Sequence, residues 1–236
     1  MSPQKITNVL IAEFVGTFIL AFAMVATLIR TPFAFFSGIA AAVVYGLFVI
    51  FFGSKIVAHL NPAVTIGLWT VRKISTLNAF VYLVLQVAAG FAAWKLGQYL
   101  IGQTLPKNAT GGFDWKVMIA EGIGALIFSL AVAAALNHSD KKLELHERSL
   151  LVGFGLFIGI LVASYAVGGA GLINPAVAIS YHSVSWAFVL GPIVGAILGF
   201  NLYELALVKS FSHGSDLTPA KKVVKMAAKP KSKTKK

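Results

Sequence analysis

The sequence of 236 residues contains no cysteine, which excludes disulfides, thiolate metal sites and a cysteine nucleophile while saying nothing about compartment. Charge is nearly as scarce: 12% of the residues are Asp, Glu, Lys or Arg, against roughly a quarter in an ordinary soluble domain, and 58% are hydrophobic. Acids are rarer than bases, eight against twenty. The parts of familiar enzymes are also missing. There is no Ser/His/Asp pattern, no phosphate-binding Gly-x-x-x-x-Gly-Lys and no set of metal ligands at a recognisable spacing. No catalysis, cofactor or metal is expected, and no soluble domain can be assigned.

What the chain does have is length in its apolar runs, at 6–29, 33–53, 76–104, 115–136, 150–169 and 186–208. Each reaches the roughly 20 residues that a helix needs to cross about 30 Å of hydrocarbon. The expectation is an all-α integral membrane protein with six spans. The first run follows Met-Ser-Pro-Gln-Lys, contains Glu13 and offers no small-residue cleavage site, so it reads as a retained span and not a signal peptide.

The net charge of +12 suggests nucleic acid at first sight, but its distribution suits a membrane better. With both termini cytoplasmic, Lys5, Lys55, Arg72, Lys73, Lys141, Lys142, Arg148, Lys209 and eight lysines in 221–236 lie inside, leaving Arg30, Lys95, Lys107 and Lys116 outside. That follows the positive-inside rule and predicts a multi-pass protein of the cell membrane. Residues 1–209 are expected to form one transmembrane domain, and 210–236 a basic, disordered cytoplasmic tail that meets anionic headgroups rather than nucleic acid.

The chain also repeats itself. Ile-Ala-Glu-x-x-Gly opens both 11–16 and 119–124, and Asn-Pro-Ala occurs as Asn61, Pro62, Ala63 and again as Asn174, Pro175, Ala176. Each half, about 6–104 and 115–208, reads as span, span, Asn-Pro-Ala segment, span. Three spans is an odd number, so the second half enters from the opposite face and the repeat is inverted. The apolar stretches after the motifs, 63–70 and 176–182, are too short to cross a bilayer and read as re-entrant half-helices.

Asparagine is a strong helix N-cap and proline suits the first helical turn, so each motif starts a half-helix. Inversion points the two starts at each other near the midplane. Each start carries roughly half a positive charge, which together form a barrier to cations and protons but not to neutral molecules. The Asn61 and Asn174 amides can donate hydrogen bonds to a passing oxygen. The carbonyls of Val57, Ala58, His59, Ala170, Gly171 and Leu172 supply acceptors, a ladder along which water exchanges partners at little desolvation cost.

These residues resemble the aquaporin family: "AHLNPAVT" at 58–65, "GLINPA" at 171–176, the paired Ala-Glu-x-x-Gly openings, and "GPIVGAILG" at 191–199. The resemblance covers about 6–209. It implies a right-handed bundle of six helices plus two half-helices, one channel per subunit for water or small neutral solutes, and a homotetramer in the lipid bilayer. It also implies that Glu13 and Glu121 brace the loop backbones from inside the bundle. One departure matters. Most members continue the second motif with arginine, which forms the narrow outer filter; here that position is Val177. The other filter positions carry over by spacing to Gly171, Val162 and either Ala41 or Tyr45, which lie one turn apart. Loss of the fixed cation points to a wider mouth that passes water and solutes such as glycerol. The alternative is collapse of neighbours into a narrow apolar constriction favouring water or a gas. The rival of another class is an ion-coupled secondary transporter, which needs titratable groups at the midplane where the spans offer little beyond the two glutamates.

Other polar residues take plainer readings. His59 suits a structural role in its loop rather than gating, and His182 near the outer mouth is either solvated or a filter or pH element. The loop 137–148, with His138 and His146, lacks metal-ligand spacing. Lys95 reads as snorkelling, and Asn108 begins a glycosylation tripeptide.

Overall fold

The computed structural model describes residues 3–31, 33–52, 59–102, 104, 113–137 and 143–207, with the side chains of 3–6 and 207 excepted. Val57, Ala58, His138, Asn108 and the tail from 210 lie outside the described residues. Among the described residues the chain is helical, with no strand: α1 Pro3–Arg30, α2 Ala34–Phe52, α3 Pro62–Thr70, α4 Thr76–Ile101, α5 Trp115–Asn137, α6 Leu145–Val167, α7 Pro175–Ser180 and α8 Trp186–Leu202. A π-helical turn, Tyr203–Leu207, follows α8. Six of these helices are long and apolar enough to cross a membrane. The chain is a multi-pass membrane protein.

The start of α6 differs appreciably from the hydropathy reading, at Leu145 rather than 150. A capping box explains it: the Glu147 carboxylate accepts from the Glu144 N–H at 2.8 Å, so the polar "LHERS" turn is helical before the apolar run begins.

The two short helices are built alike. Asn61 and Asn174 are both extended N-caps whose Oδ1 accepts from the N–H of Ala63 at 2.8 Å and of Ala176 at 2.9 Å. Both helices end in a left-handed residue, Arg72 at φ 60° and His182 at φ 53°, where glycine is the usual choice. Arg72 N–H donates to Trp69 and Lys73 N–H to Leu68; His182 N–H donates to Ile179 and Ser183 N–H to Ala178. This is the same six-to-one, five-to-two closure in both copies. Helix α7, with six residues, is nearly one turn shorter than α3, with nine.

Packing interlocks the halves. Within each repeat the first span lies against the second and the last, α1 on α2 and α4, α5 on α6 and α8, but each half-helix seats on the last span of the other repeat, α3 on α8 and α7 on α4. Neither half-helix can therefore be placed without both repeats present.

The α5–α8 contact depends on bare backbone. A Cβ on Gly191, Gly195 or Gly199 would stand 2.5, 2.0 and 2.8 Å from the carbonyl oxygens of Met118, Gly122 and Leu126, a four-residue step matched on both helices. Small residues let membrane helices approach this closely, where dispersion replaces a hydrophobic drive that lipid cannot supply. Gly195→Ala is expected to force the helices apart and cost about 1–3 kcal/mol, the usual range for overpacking. Thermal unfolding in detergent should show a lower midpoint than the parent, while Val194→Ala, on the exposed face, should change it little.

Candidate functional site

The two helix starts meet in the middle of the bundle, and the asparagines that cap them also join them. Asn61 Nδ2 donates to the Ile173 carbonyl at 3.0 Å, and Asn174 Nδ2 donates to the Leu60 carbonyl, also at 3.0 Å. Each amide thus spends its oxygen on its own helix and one proton on the opposite loop. A carboxamide carries two donors, and among the described residues the second proton of each Nδ2 has no acceptor.

The residue before each motif holds a conformation that L-residues rarely adopt, Leu60 at φ 50° and Ile173 at φ 39°. Such strain persists only where surroundings over-determine it. Here they do. The N–H groups of His59 and Leu60 converge on the Glu13 carboxyl at 2.7 and 3.0 Å, and those of Leu172 and Ile173 converge on Glu121 at 2.8 and 2.6 Å. Both glutamates are buried inside the bundle, as intramembrane acids generally are.

Beyond that shared plan the halves differ. Gln86 of α4 donates to Glu13 at 2.9 Å and to the Thr65 hydroxyl at 2.9 Å, and Thr65 in turn lies 2.9 Å from His59 Nδ1. The Tyr45 hydroxyl donates to the His59 carbonyl at 2.6 Å. The first loop is thus held by side chains from α1, α2, α3 and α4. In the second loop, Ser164 Oγ accepts from the Gly171 N–H at 2.7 Å, alongside Glu121. Sequence reading passed over Gln86 and Thr65; a lone carboxamide within an apolar span was the available signal for the first.

Of the proposed filter positions, Val177, Ala41 and Tyr45 belong to the buried core, whereas Val162 does not face it. Val177 is fully buried at the start of α7, as is Ala41 on α2. Tyr45 is engaged with the first loop at His59 and stands edge-on to Phe128. Gly171 packs directly on α6, but the side chain it meets there is Ala163, whose Cβ would be 2.3 Å from an added methyl group. Val162 instead lines a groove on the outside of α5 and α6 with Ile119, Ile123 and Tyr165. The reason is rotational: spacing fixes a residue's height along a helix, but one position is 100° of turn, enough to move a side chain from the inner to the outer face.

Ala170 and Leu172 of the expected carbonyl ladder are buried beside the second motif, and His59 beside the first. His182 stacks on Trp94 with centroids 4.8 Å apart, and the Lys95 ammonium lies 4.3 Å from the same Trp94 ring.

Known proteins share this plan. A solved aquaglyceroporin from Plasmodium falciparum superposes with a TM-score of 0.69 over 86% of this chain and 98% of its own, at 18% identity, which speaks for the fold alone. Aquaporin-5 of Ovis aries is 29% identical over 236 aligned residues, 91% of this chain and 85% of its own. Aquaporin-1 of Sus scrofa is 33% identical over 179, covering 70% and 64%. The model of the major intrinsic protein family matches residues 1–203, and with these relatives it shows that the chain belongs to that family, the aquaporins.

Proposed function

We propose that this passive channel passes water through the point where α3 and α7 meet, and that a narrow apolar mouth at Val177 keeps glycerol and larger polyols out. Family membership itself gives a channel for water or small solutes rather than an enzyme. The observation that carries the finer reading is the pair Asn61 and Asn174, buried, cross-linked and each with an amide proton to spare beside two converging helix starts. Water can accept those protons as it passes, while the facing positive ends oppose cations and protons. The complete burial of Val177 and Ala41 supports a constricted mouth over the wide one that loss of the arginine suggests. Termini on the cytoplasmic side and a homotetramer belong to the same reading, supported by the distribution of lysine and arginine and by the family.

Stopped-flow light scattering on proteoliposomes tests it. Osmotic shrinkage should be faster than in empty vesicles and have a low activation energy, whereas glycerol entry should match empty vesicles. Water flux at the empty-vesicle level from folded, inserted protein would end the proposal; glycerol entry above that level would restore the wide mouth. Mercurials should leave the water flux unchanged, as there is no thiol to modify.

A further inference from the structure

At the end of α3 the chain turns through Arg72 and Lys73 into α4, and the turn encloses a groove of about 730 Å³ lined by Trp69, Thr70, Arg72, Lys73, Ile74, Ser75 and Thr76. Its two cations are not equivalent. The Lys73 ammonium lies 3.1 Å from Glu204, a carboxylate that also accepts from Asn137 at 3.0 Å, so its charge is largely answered. Arg72 is exposed and has no ion pair or side-chain hydrogen bond among the described residues. The Trp69 indole is fixed in place, donating to the Thr76 hydroxyl at 3.1 Å.

The groove opens where the apolar span of α4 begins. From there Leu77, Phe80, Val84, Val87 and Phe91 are exposed at steps of three and four, a continuous apolar stripe running down the helix. A free guanidinium, an interfacial tryptophan and an apolar track below them match, in that order, the phosphate, glycerol and acyl regions of one lipid.

We infer that the α3–α4 turn is a binding site for an anionic phospholipid, with Arg72 on the headgroup phosphate and an acyl chain along the α4 stripe. Arginine suits the task because its planar fork pairs two phosphate oxygens at once. A headgroup carrying its own cation gains less, since that cation lies close to the guanidinium. A soluble polyanion gains nothing from the stripe. The site is independent of what the channel passes.

Native mass spectrometry of the full chain in detergent, titrated with phosphatidylglycerol or phosphatidylcholine, tests it. The parent should bind phosphatidylglycerol more tightly. Arg72→Gln should weaken it about fivefold, the weight of one basic residue at a membrane surface, and leave phosphatidylcholine unchanged. Arg72→Lys should retain part of the preference, and Lys95→Gln, at the other end of α4, all of it. Glu204→Gln frees Lys73 and should tighten phosphatidylglycerol by a similar factor; if Arg72→Gln does not fold, that gain or its absence decides. Parent-like binding by folded Arg72→Gln overturns the site, as does an equal loss in Lys95→Gln. Displacement of the lipid by millimolar inorganic phosphate would make it a free-anion site instead.

Discussion

Glu121→Ala is expected to leave the second half-loop without its anchor and to lower stability more than any other single truncation in the bundle. The carboxyl group accepts from two consecutive buried N–H groups, Leu172 and Ile173. Alanine leaves both unpaired where no bulk water can replace the bonds, at about 1–3 kcal/mol each. The strained left-handed backbone of Ile173 then keeps only the Asn61 amide on its carbonyl, and the start of α7 loosens with it. Against total stabilities of roughly 5–15 kcal/mol, a loss of that size is a large fraction. Size-exclusion chromatography should show a depleted monodisperse peak, and the remaining protein a lower unfolding midpoint. Glu13→Ala should cost less, because Tyr45 still holds the His59 carbonyl and Thr65 its ring. A midpoint within error of the parent for Glu121→Ala, or a greater loss for Glu13→Ala, contradicts this account.

Asn174→Asp should raise proton leak above that of the parent, and Asn61→Asp should do the same. Neither change need unfold the cap, since a carboxylate oxygen can accept from Ala176 or Ala63 as the amide does. What is lost is the donor: the group facing the Leu60 or Ile173 carbonyl at 3.0 Å becomes a second acceptor, and the cross-link between the loops opens. What is gained is a negative charge at a helix start, which offsets a positive end of roughly half a charge. A pH-sensitive dye inside proteoliposomes should report faster proton entry for each variant than for the parent, with water flux retained or reduced. Equal dye responses for parent and both variants would show that the helix starts are not the barrier.

The sequence alone determined the spans, their inversion and the two half-helices, because these follow from local chemistry. Hydrocarbon thickness sets run length, an odd number of spans forces inversion, and asparagine followed by proline starts a helix wherever it stands. Even the C-terminal closures of α3 and α7 are local, although their left-handed residues are Arg72 and His182 rather than a telltale glycine. Only the tertiary structure decided which way side chains on the long spans face. Val162 lies outside and Ala163 inside, and Tyr45 serves the first loop, because one residue is 100° of rotation and apolar runs with no polar face give no phase. It also decided the asymmetry of the site. Gln86 reaches Glu13 across 73 positions of sequence, a meeting set by how α4 packs on α1 and by the need of buried polar groups for partners, neither of which is written at either residue.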